Sequence, residues 1–142
     1  MTPEVSPAQQ QAIAVVRGYY DAFNRGDWAG MLARLCDDVA HDLNQGARET
    51  GREAFAAFLR RMEVSYSEQL HDVVVMASTD GTRAAAEYMV HGQYHHTDEG
   101  LPPANGQRYV LPGGAFFDIR DGVIARVSNY YNLQDWIAQV GG

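Results

Sequence analysis

The stretch from Tyr109 to Trp136, YVLPGGAFFDIRDGVIARVSNYYNLQDW, constrains the fold more than any other part of the chain. Asp121-Gly122 is a residue pair that tolerates two successive positive φ angles, as a type I′ turn requires. The runs on either side are therefore predicted to pair as a long β-hairpin. Successive side chains of a strand point to opposite faces. Ala115, Phe117 and Ile119 thus share one face of the first strand, and Val123, Ala125, Val127, Asn129 and Tyr131 one face of the second. An apolar face that acquires Asn129 and Tyr131 near one end reads as a core wall opening into a pocket. Phe117, Asn129 and Tyr131 are its candidate lining residues.

Upstream, the pattern is first helical. Pro7 follows Ser6 at a first-turn position, where the missing N–H costs nothing. Ala12, Ile13, Val16, Tyr19, Tyr20 and Phe23 then form one stripe. Asn24-Arg25-Gly26 ends this helix, and Asp27 caps a shorter one holding Trp28, Met31, Leu32 and Leu35. A short strand is predicted over Val39–Asn44. Thr50-Gly51-Arg52-Glu53 reads as a capping box opening a third helix, with Phe55, Phe58, Leu59 and Met62 on its apolar face. From Glu68 the period becomes that of strands. Leu70–Ser78 and Arg83–Tyr94 are predicted to pair across a second hairpin turn at Asp80-Gly81. Thr97–Gly106 is a loop or a wide turn, Tyr94–Gly106 is placed to form a rim or lid, and Asn132 caps a last helix. Pro112-Gly113-Gly114 implies a bulge or a close backbone approach. The order predicts an α+β domain, with helices packed on one face of a curved antiparallel sheet.

The 142 residues are expected to make one domain, spanning 1–142, with a core that needs neither disulfide nor metal. A net charge of −7 and a pI near 5.0 argue against nucleic acid and anionic membranes as partners. Cys36 is the lone cysteine, beside Leu35, and reads as a buried thiol in a reducing compartment. The polar N-terminus and the lack of any long apolar run make the cytoplasm the expected location. His91 and His95 share a strand face while His96 points away. With no H-E-x-x-H spacing, neither metal nor cofactor is expected, and His91 stands as a pocket-lining candidate.

The runs VVRGYYDAFNRGDWAGMLARLCDDV, TGREAF, GLPPANGQRY and DGVIARVSNYYNLQDW, in this element order, resemble the nuclear transport factor two-like superfamily. That superfamily includes ketosteroid isomerases, SnoaL-type polyketide cyclases and limonene epoxide hydrolases. The nearest flavour is the SnoaL-like, ketosteroid isomerase-related group. The resemblance implies a cone-shaped roll, with the helices on the concave face of the sheet. It also implies a homodimer across the outer face, where Phe116, Arg126, Ser128 and Tyr130 would lie. Tyr19 matches the first-helix tyrosine that donates to an oxyanion in ketosteroid isomerases. The second donor of those enzymes falls at Ala115, and the strand-end aspartate of the cyclases and epoxide hydrolases falls at Asn129. Two carboxylates of the relatives are therefore absent.

The 39–44 strand lies where ketosteroid isomerases place their base. Alternation offers either His41 with Leu43, or Asp42 with Asn44, to the pocket, and a one-residue bulge exchanges the sets. His41 or Asp42 is the candidate proton carrier, Tyr19 and Asn129 the oxygen-binding groups, and Asn44 and His91 further ligand contacts. The expected function is cofactor-independent acid/base chemistry on a small, mostly apolar carbonyl compound, as in an isomerase or cyclase. Two alternatives stand beside it: a non-catalytic ligand-binding or assembly module, and a hydrolase or dehydratase.

Overall fold

A computed structural model describes residues 5–141. Helix α1 spans Pro7–Arg25, and its start follows the local chemistry: Ser6 Oγ accepts from the Gln9 amide at 3.0 Å. It ends at Gly26, whose φ of 70° suits glycine. Asp27 then caps α2 (Trp28–Leu32) by accepting from the Gly30 amide at 2.9 Å.

Strand β1 is Leu35–Asp42, so it starts before the predicted strand and stops short of Asn44. Asp37 and Asp38 lie within it, where both stay exposed and pair with Arg52 and Arg120. A three-residue strand, β2 (Arg48–Thr50), lies unpredicted beside it, with Thr50 opposite Ala40. Thr50 is therefore not the cap of α3 (Arg52–Ser65). That cap is Gly51, at φ 104° with no side-chain bond, its amide donating to Val39 O at 2.8 Å.

The remaining strands are β3 (Tyr66–Ala77), β4 (Arg83–Tyr94), β5 (Gln107–Arg120) and β6 (Val123–Tyr131), followed by α4 (Leu133–Gly141). Asn132 caps α4 by accepting from the Asp135 amide at 3.1 Å. The sheet order is β2-β1-β6-β5-β4-β3. β1 and β6 run parallel, so the sheet is mixed rather than purely antiparallel. The long path through α3 and four strands is what allows a parallel neighbour.

Asp121 and Gly122, with φ of 53° and 78°, make the turn that their sequence demands. The Asp80-Gly81 connection is different. Residues 78–82 form a wider loop, organised by Asp80 Oδ1, which accepts from Ser78 Oγ, the Thr82 amide and Thr82 Oγ1 at 2.8–3.0 Å. The loop rests on the start of α1, where Ser6 Oγ donates to Thr79 O at 2.6 Å.

Register shifts in β1, β3 and between β5 and β6 curve the sheet around the helices. One of them corrects the expected face of β6. Asp118 pairs with Arg126 but Ile119 with Ile124, which leaves Ala125 bulged out. Ile124 and Val127 are consequently the core residues, and the expected face holds only from Val127 through Asn129 to Tyr131. Val16, Tyr20, Met31, Leu35, Val39 and Phe117 complete the core between sheet and helices. Among the described residues, no helix is long and apolar enough to cross a membrane.

The outer face carries a chain of charges. Arg48 holds Asp42 with two bonds of 2.7 and 3.1 Å, and Ser128 Oγ donates to Asp42 Oδ2 at 2.5 Å. Arg126 donates to Ser128 Oγ at 2.6 Å and to Asp118 at 3.0 Å. The bonds from Arg48 and Ser128 hold the Asp42 carboxyl down to about 2. It is therefore ionised when folded at pH values where the unfolded chain already binds a proton. Asp42→Asn should cost about 1–2 kcal/mol at neutral pH, discounted for the exposure of Arg48. In the native protein that contribution should fade as pH falls from about 4 to about 2. Denaturant titrations of the two proteins across that range check both statements.

Candidate functional site

Between α1, α3, α4 and the concave face lies a cavity of about 940 Å³. Its walls are mostly apolar and rich in aromatic rings, as befits a site for an apolar ligand. His41 and Leu43 line it, whereas Asp42 points to the outer face and is tied to Arg48 and Ser128. Asp42 is thereby corrected from a pocket candidate to a group of the outer network. Asn44 also lines the cavity, because β1 ends at Asp42 and the chain turns after it. Its Oδ1 accepts from the Tyr131 amide at 3.1 Å, so it ties the mouth to β6.

His41 is 2% exposed. Its ring stacks on Phe55 with centroids 4.3 Å apart and meets the edge of Phe58 at 4.7 Å. Nε2 lies 3.1 Å from Asn129 Nδ2, and Nδ1 has no partner within the protein. Burial, with a smaller contribution from Arg61, pulls the imidazole down to about 4, against the opposing pull of Asp42. At neutral pH it is uncharged.

Tyr19 lines the same cavity from α1, packed edge-on against Tyr20, Phe55 and Phe117. Burial pushes its phenol up, so it can act only as a neutral donor. Tyr19, His41 and Asn129 are thus brought together around Phe55. Phe117 is not a lining residue: it is fully buried beneath Tyr19 and Tyr20. His91 lines the cavity as expected, but at its exposed rim. Tyr88, Val90, Gly92 and Tyr94 take the inner side of β4, and exposed His91 stacks on His71 with centroids 4.0 Å apart. Tyr131, 41% exposed, stands at the mouth.

No cluster of His, Cys, Asp or Glu suited to a metal occurs among the described residues. Cys36 is half-buried beside Asp38 rather than enclosed, and both desolvation and that carboxylate raise its thiol.

Sequence reasoning missed a second polar group in the cavity, Glu68 on β3, with Tyr109 on β5 and Gly92 between them. Tyr66, Glu68 and Leu70 alternate onto the inner face. A strand begun at Tyr66 rather than Leu70 would have placed this carboxyl among apolar neighbours. The Pro112-Gly113-Gly114 segment proves to be a close approach and not a bulge. β5 keeps continuous register with β4, and a Cβ on Gly113 would lie 2.8 Å from the Tyr88 ring.

A mixed sheet rolled around helices, with a cavity between them, defines the nuclear transport factor two-like class. Residues 16–127 match the SnoaL-like domain, and the chain belongs to that family. A Xanthomonas campestris protein provisionally named a polyketide cyclase is 70% identical, with 93% of this chain and 98% of that one covered and a TM-score of 0.90. A Pseudomonas putida protein with the same provisional name is 60% identical over 91% and 97% of the two chains, at a TM-score of 0.90. An epoxide hydrolase of Mycobacterium tuberculosis, 20% identical over 95% and 88% of the chains, shares the fold at a TM-score of 0.72. Among curated proteins, none matches the chain.

Proposed function

We propose that this protein is a cofactor-independent acid/base enzyme that moves a proton next to the carbonyl of a small, mostly apolar compound, as isomerases and aldol-type cyclases do. The observation that carries this reading is His41. It is a neutral imidazole in an aromatic wall, anchored through one nitrogen and left without a partner at the other.

Asn129 suits either protonation state of that ring. Its amide nitrogen donates to Nε2 in the observed contact, and the amide turned over would accept from Nε2–H. In the second arrangement the lone pair sits on Nδ1, the enclosed nitrogen that has no partner within the protein. Tyr19 supplies a phenol that stays protonated and can donate to oxygen where charge develops. The provisional naming of the two similar proteins as polyketide cyclases supports the same class of chemistry, because aldol cyclisation begins with loss of a proton beside a carbonyl.

The test uses 2-tetralone, a small apolar ketone with acidic α-protons, in deuterated water. The enzyme is expected to speed exchange of those protons, read by proton NMR, above the buffer rate. A rate equal to buffer at saturating enzyme would favour a binding module instead.

The exposed aromatic pair on the outer face belongs to this proposal as a dimer surface. Phe116 and Tyr130 are 53% and 58% exposed and meet edge to face at 5.7 Å. Arg126 and buried Ser128 are spent on the outer network and offer a partner little. Light scattering at micromolar concentration should report a dimer, and Phe116→Glu should convert it to a folded monomer. A monomeric native protein would remove the surface from the proposal.

A further inference from the structure

Glu68 is enclosed by protein on nearly every side, and the part of it that stays accessible faces the cavity. It lies opposite Gly92, which in turn lies opposite Tyr109, so the three form one line across β3, β4 and β5. The Tyr109 ring lies over Gly92 so closely that a Cβ there would collide with it. Across that gap Tyr109 Oη donates to Glu68 Oε2 at 2.6 Å. Tyr109 itself is 2% exposed and packs edge-on against Trp136 of α4. A missing side chain, a buried phenol and a carboxyl are thus arranged to hold one oxygen of Glu68 and leave the other to the cavity.

No positive group among the described residues is bonded to Glu68, and burial raises its carboxyl against the opposing donation from Tyr109. A carboxyl in this setting is shifted towards the protonated form, in which its free oxygen can donate. Its surroundings are otherwise neutral or distant: Tyr88, Tyr131 and Tyr109 are phenols, and Asp98 is engaged by Tyr66 Oη at 2.8 Å. Arg108, His71 and His91 line the cavity only at its exposed rim, and none of them is bonded to Glu68.

We propose that Glu68, held over Gly92 by Tyr109, is a second acid group of the cavity and donates its proton to the carbonyl oxygen of the bound ligand. This rests on the acid/base reading of His41. In the joint step the C–H bond beside the carbonyl breaks and its proton goes to His41. The electron pair forms the C=C bond of an enol, while the carbonyl π pair takes the Glu68 proton to make the O–H bond. The reverse transfer, or protonation at another carbon, restores both groups. The step needs the carbonyl oxygen at Glu68 and the C–H of the adjacent carbon at His41, so the ligand class that follows is a neutral ketone held with that one carbonyl unit between the two groups.

Two probes separate this proposal from the one beneath it. 2-Tetralone exchange reports the chemistry, and 2-naphthol, a stable aromatic enol of the same shape, reports binding by its fluorescence. Glu68→Gln keeps the shape and an N–H donor but carries no transferable proton. It should lose about 30-fold or more in exchange and less than about threefold in 2-naphthol affinity, whereas Glu68→Ala should lose about tenfold in affinity as well. Because Tyr109 stabilises the carboxylate, Tyr109→Phe should move the alkaline fall of the exchange rate to higher pH.

If both Glu68 variants exchange at the native rate, or Tyr109→Phe leaves the pH profile in place, Glu68 is not the acid. If the native protein does not exchange 2-tetralone at all, the reading of His41 fails, and naphthol binding decides Glu68 alone. Weakening by Glu68→Ala then supports a ligand contact, and an unchanged affinity overturns it.

Discussion

Replacing His41 by glutamine is expected to lower 2-tetralone exchange by about 100-fold or more while leaving 2-naphthol affinity within about threefold. The asymmetry follows from what the side chain does in its place. Glutamine can bond Asn129 from the same wall and keep the cavity closed, but it cannot take a proton at neutral pH. A depressed imidazole is a weaker base than a free one, so its catalytic contribution is expected at the modest end of the general-base range. Asp42→Asn makes the matching control. It sits on the adjoining residue, yet faces the outer network, and should lower exchange only slightly, by removing the charge that opposes the depression of His41. An equal loss from both variants would mean that β1 acts through its shape rather than through His41.

The second large effect is on stability. His41 titrates near 4 when folded and near 6.5 when unfolded, because folding buries it against Phe55 and Phe58. Between those values the unfolded chain binds a proton that the folded chain refuses. Stability is therefore complete above about pH 6.5 and falls by about 3 kcal/mol as the pH drops towards 4. Glu68 works in the opposite direction. Its raised carboxyl is a cost in the ionised form, and the cost is relieved as the pH falls. Urea titrations between about pH 7 and 4 should show a net loss, and His41→Gln should flatten it. An unchanged slope in the variant would place the acid sensitivity elsewhere.

The parts of this fold legible in the sequence are those set by local chemistry. Asp121-Gly122 specified its turn, Ser6, Asp27 and Asn132 specified helix starts, and Asn129 was placed on the inner face by simple alternation. What was hidden depends on distant partners. β2 is three residues of edge strand with no periodic signal, and Thr50 within it mimics a helix cap. Ala125 bulges because of pairing with β5, which no reading of β6 alone reveals.

The candidate site divides the same way. Which of His41 and Asp42 faces inward turns on the phase of β1, and that phase is set by its parallel pairing with β6 and by Arg48 and Ser128 on the outer side. Glu68 and Tyr109 are distant in sequence and meet only because β4 puts a glycine between them. Polar residues on an inner face were visible as anomalies. Their partners required the sheet.

The most direct test is to follow the two ring nitrogens of His41 by long-range proton–nitrogen NMR while 2-naphthol is added at neutral pH. If His41 meets the ligand, the Nδ1 signal should move as the site fills, and the Nε2 signal should stay with Asn129. Saturable binding of 2-naphthol with both nitrogens unmoved would place the ligand away from His41 and contradict its role as the base.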